Sequence, residues 1–156
     1  MRIFFVMTVM IFTVIFSHYA AAQLKLHDNL AGPGFSVLTD KSAVLFSGYY
    51  ENEIAQISSG LFGAGVAVKY CNLGSTISNN VFFGAMVTYN FRNIGESSFI
   101  PFLSLTAGSD GSLKRAWYCT QAGVRYFTNE KMAITGRFGF GNNWFISPEI
   151  GLDFRF

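Results

Sequence analysis

The stretch RAWYCTQAGVRYFTNEKMAITGRFGF, residues 115–140, decides the fold. It divides at Thr128-Asn129-Glu130 into two alternating runs. In the first, Ala116, Tyr118, Thr120, Ala122, Val124 and Tyr126 fall on one side. Arg115, Trp117, Cys119, Gln121, Gly123, Arg125 and Phe127 fall on the other. In the second, Met132, Ile134, Gly136, Phe138 and Phe140 oppose Lys131, Ala133, Thr135, Arg137 and Gly139. A strand shows successive side chains to opposite faces, so a period of two reads as a β-strand with one greasy and one polar face. A short polar turn between two such runs makes them antiparallel neighbours.

The same period recurs along the chain. NVFFGAMVTYNFR (80–92) sets Val81, Phe83, Ala85, Val87, Tyr89 and Phe91 against Phe82, Gly84, Met86, Thr88, Asn90 and Arg92. GLFGAGVAVKYC (60–71) sets Phe62, Ala64, Val66, Val68 and Tyr70 against Gly63, Gly65, Ala67, Lys69 and Cys71. EIGLDFRF (149–156) sets Ile150, Leu152, Phe154 and Phe156 against Glu149, Gly151, Asp153 and Arg155. SSFIPFLSLTAG (97–108) alternates less cleanly, and GFSVLT (34–39) and SAVLFSGYY (42–50) read as strands whose faces stay open. The reading is eight strands at 33–39, 42–50, 60–71, 80–92, 98–108, 115–127, 131–140 and 148–156. TDK (39–41) and ENEIAQISS (51–59) are among the connections. Sequential strands with short connections form an up-and-down meander, and eight can close into a barrel without exposed edges.

Composition agrees. Aromatic residues make up 17% and charged residues only 13%, the reverse of a disordered chain. The net charge of +2 comes without a basic cluster, so no nucleic-acid footprint exists. The first segment, MRIFFVMTVMIFTVIFSHYAAAQ, has Arg2, an apolar run from Ile3 to Phe16 and Ala20-Ala21-Ala22 before Gln23. The run is shorter than the ~20 residues a spanning helix needs. It reads as a cleaved signal peptide over 1–22, leaving one barrel domain over 23–156.

Alternation does not say which face is buried. A soluble lipocalin-like barrel turns its apolar face inward; a membrane barrel turns it outward. Gly63, Gly65, Gly84, Gly123, Gly139 and Gly151 share the polar face, where a narrow eight-stranded interior has little room. Lys69, Arg92, Arg125, Arg137, Glu149, Asp153 and Arg155 share it too, and the apolar face of the clear blocks carries no charge. A charge facing lipid at the midplane costs about 2–4 kcal/mol. Aromatic residues gather at block ends: Tyr49, Tyr50, Tyr70, Tyr89, Phe91, Tyr126, Phe127, Phe138, Phe140, Phe154 and Phe156. That is the form of an interfacial girdle. The expected fold class is therefore all-β: an eight-stranded antiparallel up-and-down transmembrane β-barrel behind a cleaved signal peptide.

EIGLDFRF resembles the C-terminal strand of Gram-negative outer-membrane β-barrels, which alternates and closes on Phe. QAGVRYFTNEKMAITGRFGF resembles the Gly-x-x-Tyr-Phe, short turn, apolar strand of small outer-membrane barrel domains. FIPFLSLTAG resembles their Pro-Phe strand. The resemblance covers most of 80–156 and reaches the porin-like superfamily of eight-stranded barrels. It implies residence in the bacterial outer membrane, contact with its lipid, and a monomer. It also implies recognition of Ile150, Leu152, Phe154 and Phe156 by the barrel-assembly machinery. In one respect the chain departs from the family. With both termini periplasmic, the short TDK connection falls on the extracellular side, where the family's longer loops lie.

Chemistry is sparse. His27, in LKLHDNL, has no serine motif or second ligand beside it, and no spaced carboxylates suit a cation. Outer-membrane lipid A deacylases are similar in size and fold class, but their late His with a nearby Ser-Asn is absent here. No enzyme activity, cofactor or metal is expected. Cys71 and Cys119 lie three strands apart, beyond the ~7 Å reach of a disulfide, and are expected as shielded thiols. The polar face supplies the candidate site: a lumen network of Arg137, Asp153, Glu149 and Gln121, with Arg125 and Arg155 on the same face. Buried charges have to be paired. The network is expected to plug the barrel in a structural or interaction role: envelope integrity, adhesion or anchoring. The alternatives are a narrow small-solute pore and a soluble periplasmic barrel for a lipid or other hydrophobic ligand.

Overall fold

The computed structural model describes residues 24–38, 43–72, 81–92, 98–142 and 147–156. The expected signal segment, the TDK connection and most of the loops between strands 3 and 4, 4 and 5, and 7 and 8 lie outside them. The described chain forms eight strands: β1 Asn29–Leu38, β2 Ala43–Ile57, β3 Gly60–Asn72, β4 Val81–Phe91, β5 Phe99–Asp110, β6 Ala116–Asn129, β7 Met132–Gly141 and β8 Ser147–Arg155. Each pairs antiparallel with the next, and β8 returns to β1, so the sheet is a closed barrel. Closure satisfies the strand ladders internally and leaves no edge for another chain to pair with.

The alternation of side chains matches the pattern in the sequence. Val66, Val68, Phe83, Val87, Leu103, Leu105, Ile134 and Leu152 point outward and are exposed, whereas Lys69, Thr88, Asn90, Thr106, Gln121, Arg125, Arg137, Glu149 and Asp153 are buried inside. In the two strands whose faces the sequence left open, Phe35, Val37, Phe46 and Tyr50 point outward, and Ser36, Leu45 and Tyr49 are buried. Two aromatic residues depart from the expected girdle: Tyr49 and Phe127 turn inward.

The first third of the chain differs from expectation. ENEIAQISS is not a loop. β2 runs on through Ile57, and Ser58-Ser59 alone joins it to β3, with Ile57 paired to Gly60. A register shift between Glu53 and Ala55 interrupts the period of two, so the sequence there loses its strand pattern although the pairing continues. Ser58 takes φ 53°, the left-handed conformation that a two-residue hairpin turn calls for. β1 likewise starts earlier, at Asn29. The β2–β3 and β6–β7 turns thus lie at the end of the barrel where β1 starts and β8 ends, called here the near end. The β5–β6 turn lies at the far end. There Asp110 Oδ1 accepts from Ser112 Oγ (2.9 Å) and from the amides of Lys114 (3.0 Å) and Arg115 (3.3 Å). Of GSDGS (108–112), Gly108, Ser109 and Asp110 complete β5, and only Gly111 and Ser112 belong to the turn.

Inward glycines let neighbouring strands crowd together. A Cβ built on Gly65 would collide with the Tyr50 carbonyl, and one on Gly32 with the Leu152 carbonyl. Gly48 and Gly136 face outward into open space. The one-sidedness is that of a barrel whose strands coil tightly around a narrow interior.

The interior is stratified. From the near end, Leu30, Leu61, Ile100, Phe127 and Ala133 form an apolar cluster that takes in Leu24, from the segment before β1, and reaches up into the middle of the lumen through Tyr49, Ala67 and Met86. Toward the far end, Leu45, Cys71, Phe82, Trp117 and Cys119 form a second, in which both cysteines are buried thiols. Most of the buried charges stand in the middle of the lumen: Glu51 and Glu53 on β2, Lys69 on β3, Arg125 on β6, Arg137 on β7, and Glu149 and Asp153 on β8.

Candidate functional site

Two ionic centres stand in the middle of the lumen. The lower is built on Arg125, which is fully enclosed. Its Nε lies 2.8 Å from Asp153 Oδ2, its Nη2 2.6 Å from Glu51 Oε2, and its Nη1 donates to Asn90 Oδ1. Asn90 in turn donates its Nδ2 to Glu51 Oε1 (2.9 Å) and to Glu53 Oε1 (2.7 Å). The planar fork of a guanidinium suits this role, because it serves several acceptors at once in fixed directions.

The upper centre is built on Glu149. Arg137 Nε lies 3.1 Å from its Oε1 and Lys69 Nζ 3.5 Å from its Oε2, and Ser47 Oγ donates to Oε1. Between the centres stands the Tyr49 ring, 4.9 Å from the Arg137 guanidinium carbon and 5.9 Å from that of Arg125. Phe102 covers Arg125 from another side at 4.3 Å. A cation over an aromatic face is attracted to it, and more so away from water.

The structure divides the sequence-derived set. Arg137 and Glu149 meet as cross-strand neighbours of β7 and β8. Asp153 belongs to Arg125 and not to Arg137. Gln121 is buried in the lumen but stands opposite Gly139 and Ser104, while Arg137 stands opposite Gly123. Arg155 lies at the near rim, 3.6 Å from Asp28 and over the Phe127 ring at 5.5 Å. The residues that sequence reasoning left out of the network are Glu51, Glu53, Asn90, Ser47 and Lys69. Glu51 and Glu53 keep the inward parity of Leu45 and Tyr49, a signal that was present but hidden by reading 51–59 as a loop.

Among the described residues no His, Cys, Asp and Glu cluster is arranged to hold a metal ion. His27 sits exposed at the near rim in a left-handed turn, φ 69°, its amide donating to the Glu53 carbonyl (2.8 Å). Ile150, Leu152, Phe154 and Phe156 are all exposed on the outer face, with Phe156 at 68%. The Phe156 backbone closes the β1–β8 seam: its N–H donates to the Asn29 carbonyl (3.1 Å) and its carbonyl accepts from the Asn29 N–H (3.2 Å).

No family model matches the chain, and no curated protein matches it. Among solved structures, it is similar to a chain described under de novo design of transmembrane β-barrels. The TM-score is 0.67 and the identity 12%, over 86% of this chain and 99% of the designed one. At that identity the likeness is one of fold.

Proposed function

We propose that this chain is an integral β-barrel of the bacterial outer membrane, exported by its first 22 residues and closed to solutes, with a structural or interaction role. Envelope integrity, adhesion through the far loops, and anchoring are the roles this reading allows. One observation carries it: the polarity of the barrel is inverted. Branched and aromatic side chains cover the outside, and ion pairs fill the inside. In water that arrangement would leave a belt of apolar surface far larger than a soluble monomer exposes. In a bilayer it is the arrangement of lowest cost. The transmembrane description of the similar designed barrel supports the same reading.

Outward aromatic pairs add to it. Phe99–Tyr126 (4.7 Å) and Tyr89–Phe91 (4.9 Å) lie toward the near end, and Phe35–Phe46 (5.5 Å) and Phe138–Phe140 (4.8 Å) toward the far end. Two belts of rings suit two lipid–water boundaries. Against a ligand-binding soluble barrel stands the charged lumen. Against a pore stand two apolar layers and the side chains between them. In this reading the protein is a non-catalytic monomer, folded with the help of the barrel-assembly machinery.

Cell fractionation with gel mobility before and after heating tests the proposal. The expected result is recovery in the outer-membrane fraction, with an unheated band that migrates differently from the heated one. Monodisperse protein in detergent-free buffer overturns it. Planar-bilayer recordings are expected to stay silent, and steady single-channel currents would replace the plugged reading by the pore.

A further inference from the structure

The ionic centres leave other buried polar atoms without protein partners. On the β7–β8 wall these are Arg137 Nη2, Thr135 Oγ1 and Asp153 Oδ1. They share one face of one ladder, in which Thr135 pairs with Gly151 and Ala133 with Asp153. Gly151 has no side chain, and Arg137 Nη2 lies 3.2 Å from where its Cβ would be. On the β4–β5 wall, Thr88 and Ser104 are cross-strand partners whose hydroxyls are both unmet, and Thr106 Oγ1 at the next inward position of β5 is unmet as well. Thr106, Thr135 and Asp153 are all at 0% exposure.

A buried donor or acceptor without a partner forfeits the hydrogen bond it made with water. Native interiors hold few of them, and a buried water that meets two to four polar groups is the usual remedy. Here donors, acceptors and hydroxyls of either sense face one interior between two apolar layers. We infer that the middle of the lumen is a hydrated chamber that binds a cluster of ordered water, bridging Arg137 to Asp153 and so coupling the two ionic centres, with Leu24 as the stopper of its near mouth.

Leu24 is the one member of the near apolar layer that no strand holds. It is fully buried although it precedes β1. A small turn places it: Lys25 N–H donates to Asp28 Oδ2 (2.8 Å) and Asp28 N–H to the Lys25 carbonyl (3.2 Å). His27 N–H donates to the Glu53 carbonyl (2.8 Å), and the Asp28 carbonyl accepts from Glu53 N–H (3.0 Å). The far mouth is closed by Trp117, which the wall holds through Nε1 donating to the Phe83 carbonyl (3.0 Å). Leu24 can therefore lift with every strand pair intact, by giving up only the turn's own bonds and its two bonds to Glu53. The inference deepens the plugged-barrel reading and rests on it.

The test uses the purified protein in detergent micelles. Thr135→Val and Thr106→Val keep shape and remove the hydroxyl. In a hydrated chamber both lower the melting temperature, because each strands a water. In a dry lumen each removes an unmet group, and the temperature rises or stays; that result overturns the chamber. For the stopper, exchange of the Arg125 Nε–H with water is followed by NMR in the wild type, Leu24→Ser and Leu24→Ala. Slow exchange in the wild type and several-fold faster exchange in both variants is expected; unchanged exchange in either overturns the stopper. Heat-modifiable mobility reports the barrel itself separately, and the variants are expected to keep it.

Discussion

Arg125 on β6 and Glu51 on β2 meet across the barrel, Nη2 to Oε2 at 2.6 Å. The two strands stand four apart in a closed ring of eight, so the pair spans the lumen, whereas each ladder joins only neighbours. Removing one partner of such a buried pair leaves an uncompensated charge, and that is costlier than never having had the pair. Arg125→Ala is expected to destabilise the barrel by about 3–5 kcal/mol. The check is denaturant unfolding of refolded protein in micelles. The combined change Arg125→Met, Glu51→Gln, Asp153→Asn is expected to recover a large part of that loss. Equal loss in both would mean that packing, and not charge, is what Arg125 supplies.

Glycines facing in and out give a controlled comparison. A methyl on Gly65 would fall on the Tyr50 carbonyl, while one on Gly136 meets nothing within 4 Å. Gly65→Ala is expected to cost about 1–3 kcal/mol, the usual scale of overpacking. Gly136→Ala is expected to leave stability unchanged or raise it slightly. Unfolding midpoints of the two variants decide this, and equal midpoints would show that the strands relax freely at Gly65.

How legible this fold is depends on where its period holds. From Val81 onward, the pairing register shifts only at the near end of β6, between Phe127 and Asn129, so strand count and the inward charges Arg125, Arg137, Glu149 and Asp153 could be read from the alternation. Around Glu53 one extra residue shifts the register, and Glu51 and Glu53 vanish into an apparent loop although they complete the lower centre. Partner choice within the lumen was legible only in part. Glu149 is Arg137's cross-strand partner, but Asp153 stands opposite Ala133 and reaches across β7 to Arg125 on β6, a pairing that the period of two does not show. Nor does a period of two reach Leu24, whose burial depends on a turn outside the strands.

The outer face offers a direct probe of what surrounds it. Leu105 on β5 pairs with Val87 on β4 and Thr120 on β6, well away from either rim, and is 47% exposed. Leu105→Arg is expected to cost about 2–4 kcal/mol if that height is the hydrocarbon midplane. On a protein surface facing water the same change lies within about ±0.5 kcal/mol. Unfolding in lipid vesicles separates the two, and a near-zero cost there argues against immersion.

The last residue joins two roles that can be taken apart. The Phe156 backbone exchanges hydrogen bonds with Asn29 at the seam, and its ring lies 6.4 Å from that of Tyr50 on the outer face. Deleting Phe156 removes both the seam bonds and the ring, whereas Phe156→Ala keeps the backbone bonds and removes the ring alone. If the ring serves recognition during assembly, Phe156→Ala refolds in micelles with wild-type yield yet accumulates poorly in the outer membrane. The deletion does worse in both settings, because the seam frays at its near end, where Asn29 loses its partners. Measuring refolding yield and membrane abundance side by side distinguishes these effects. A Phe156→Ala protein that reaches wild-type abundance in cells would leave the terminal ring as lipid-facing surface and the seam bonds as its whole contribution.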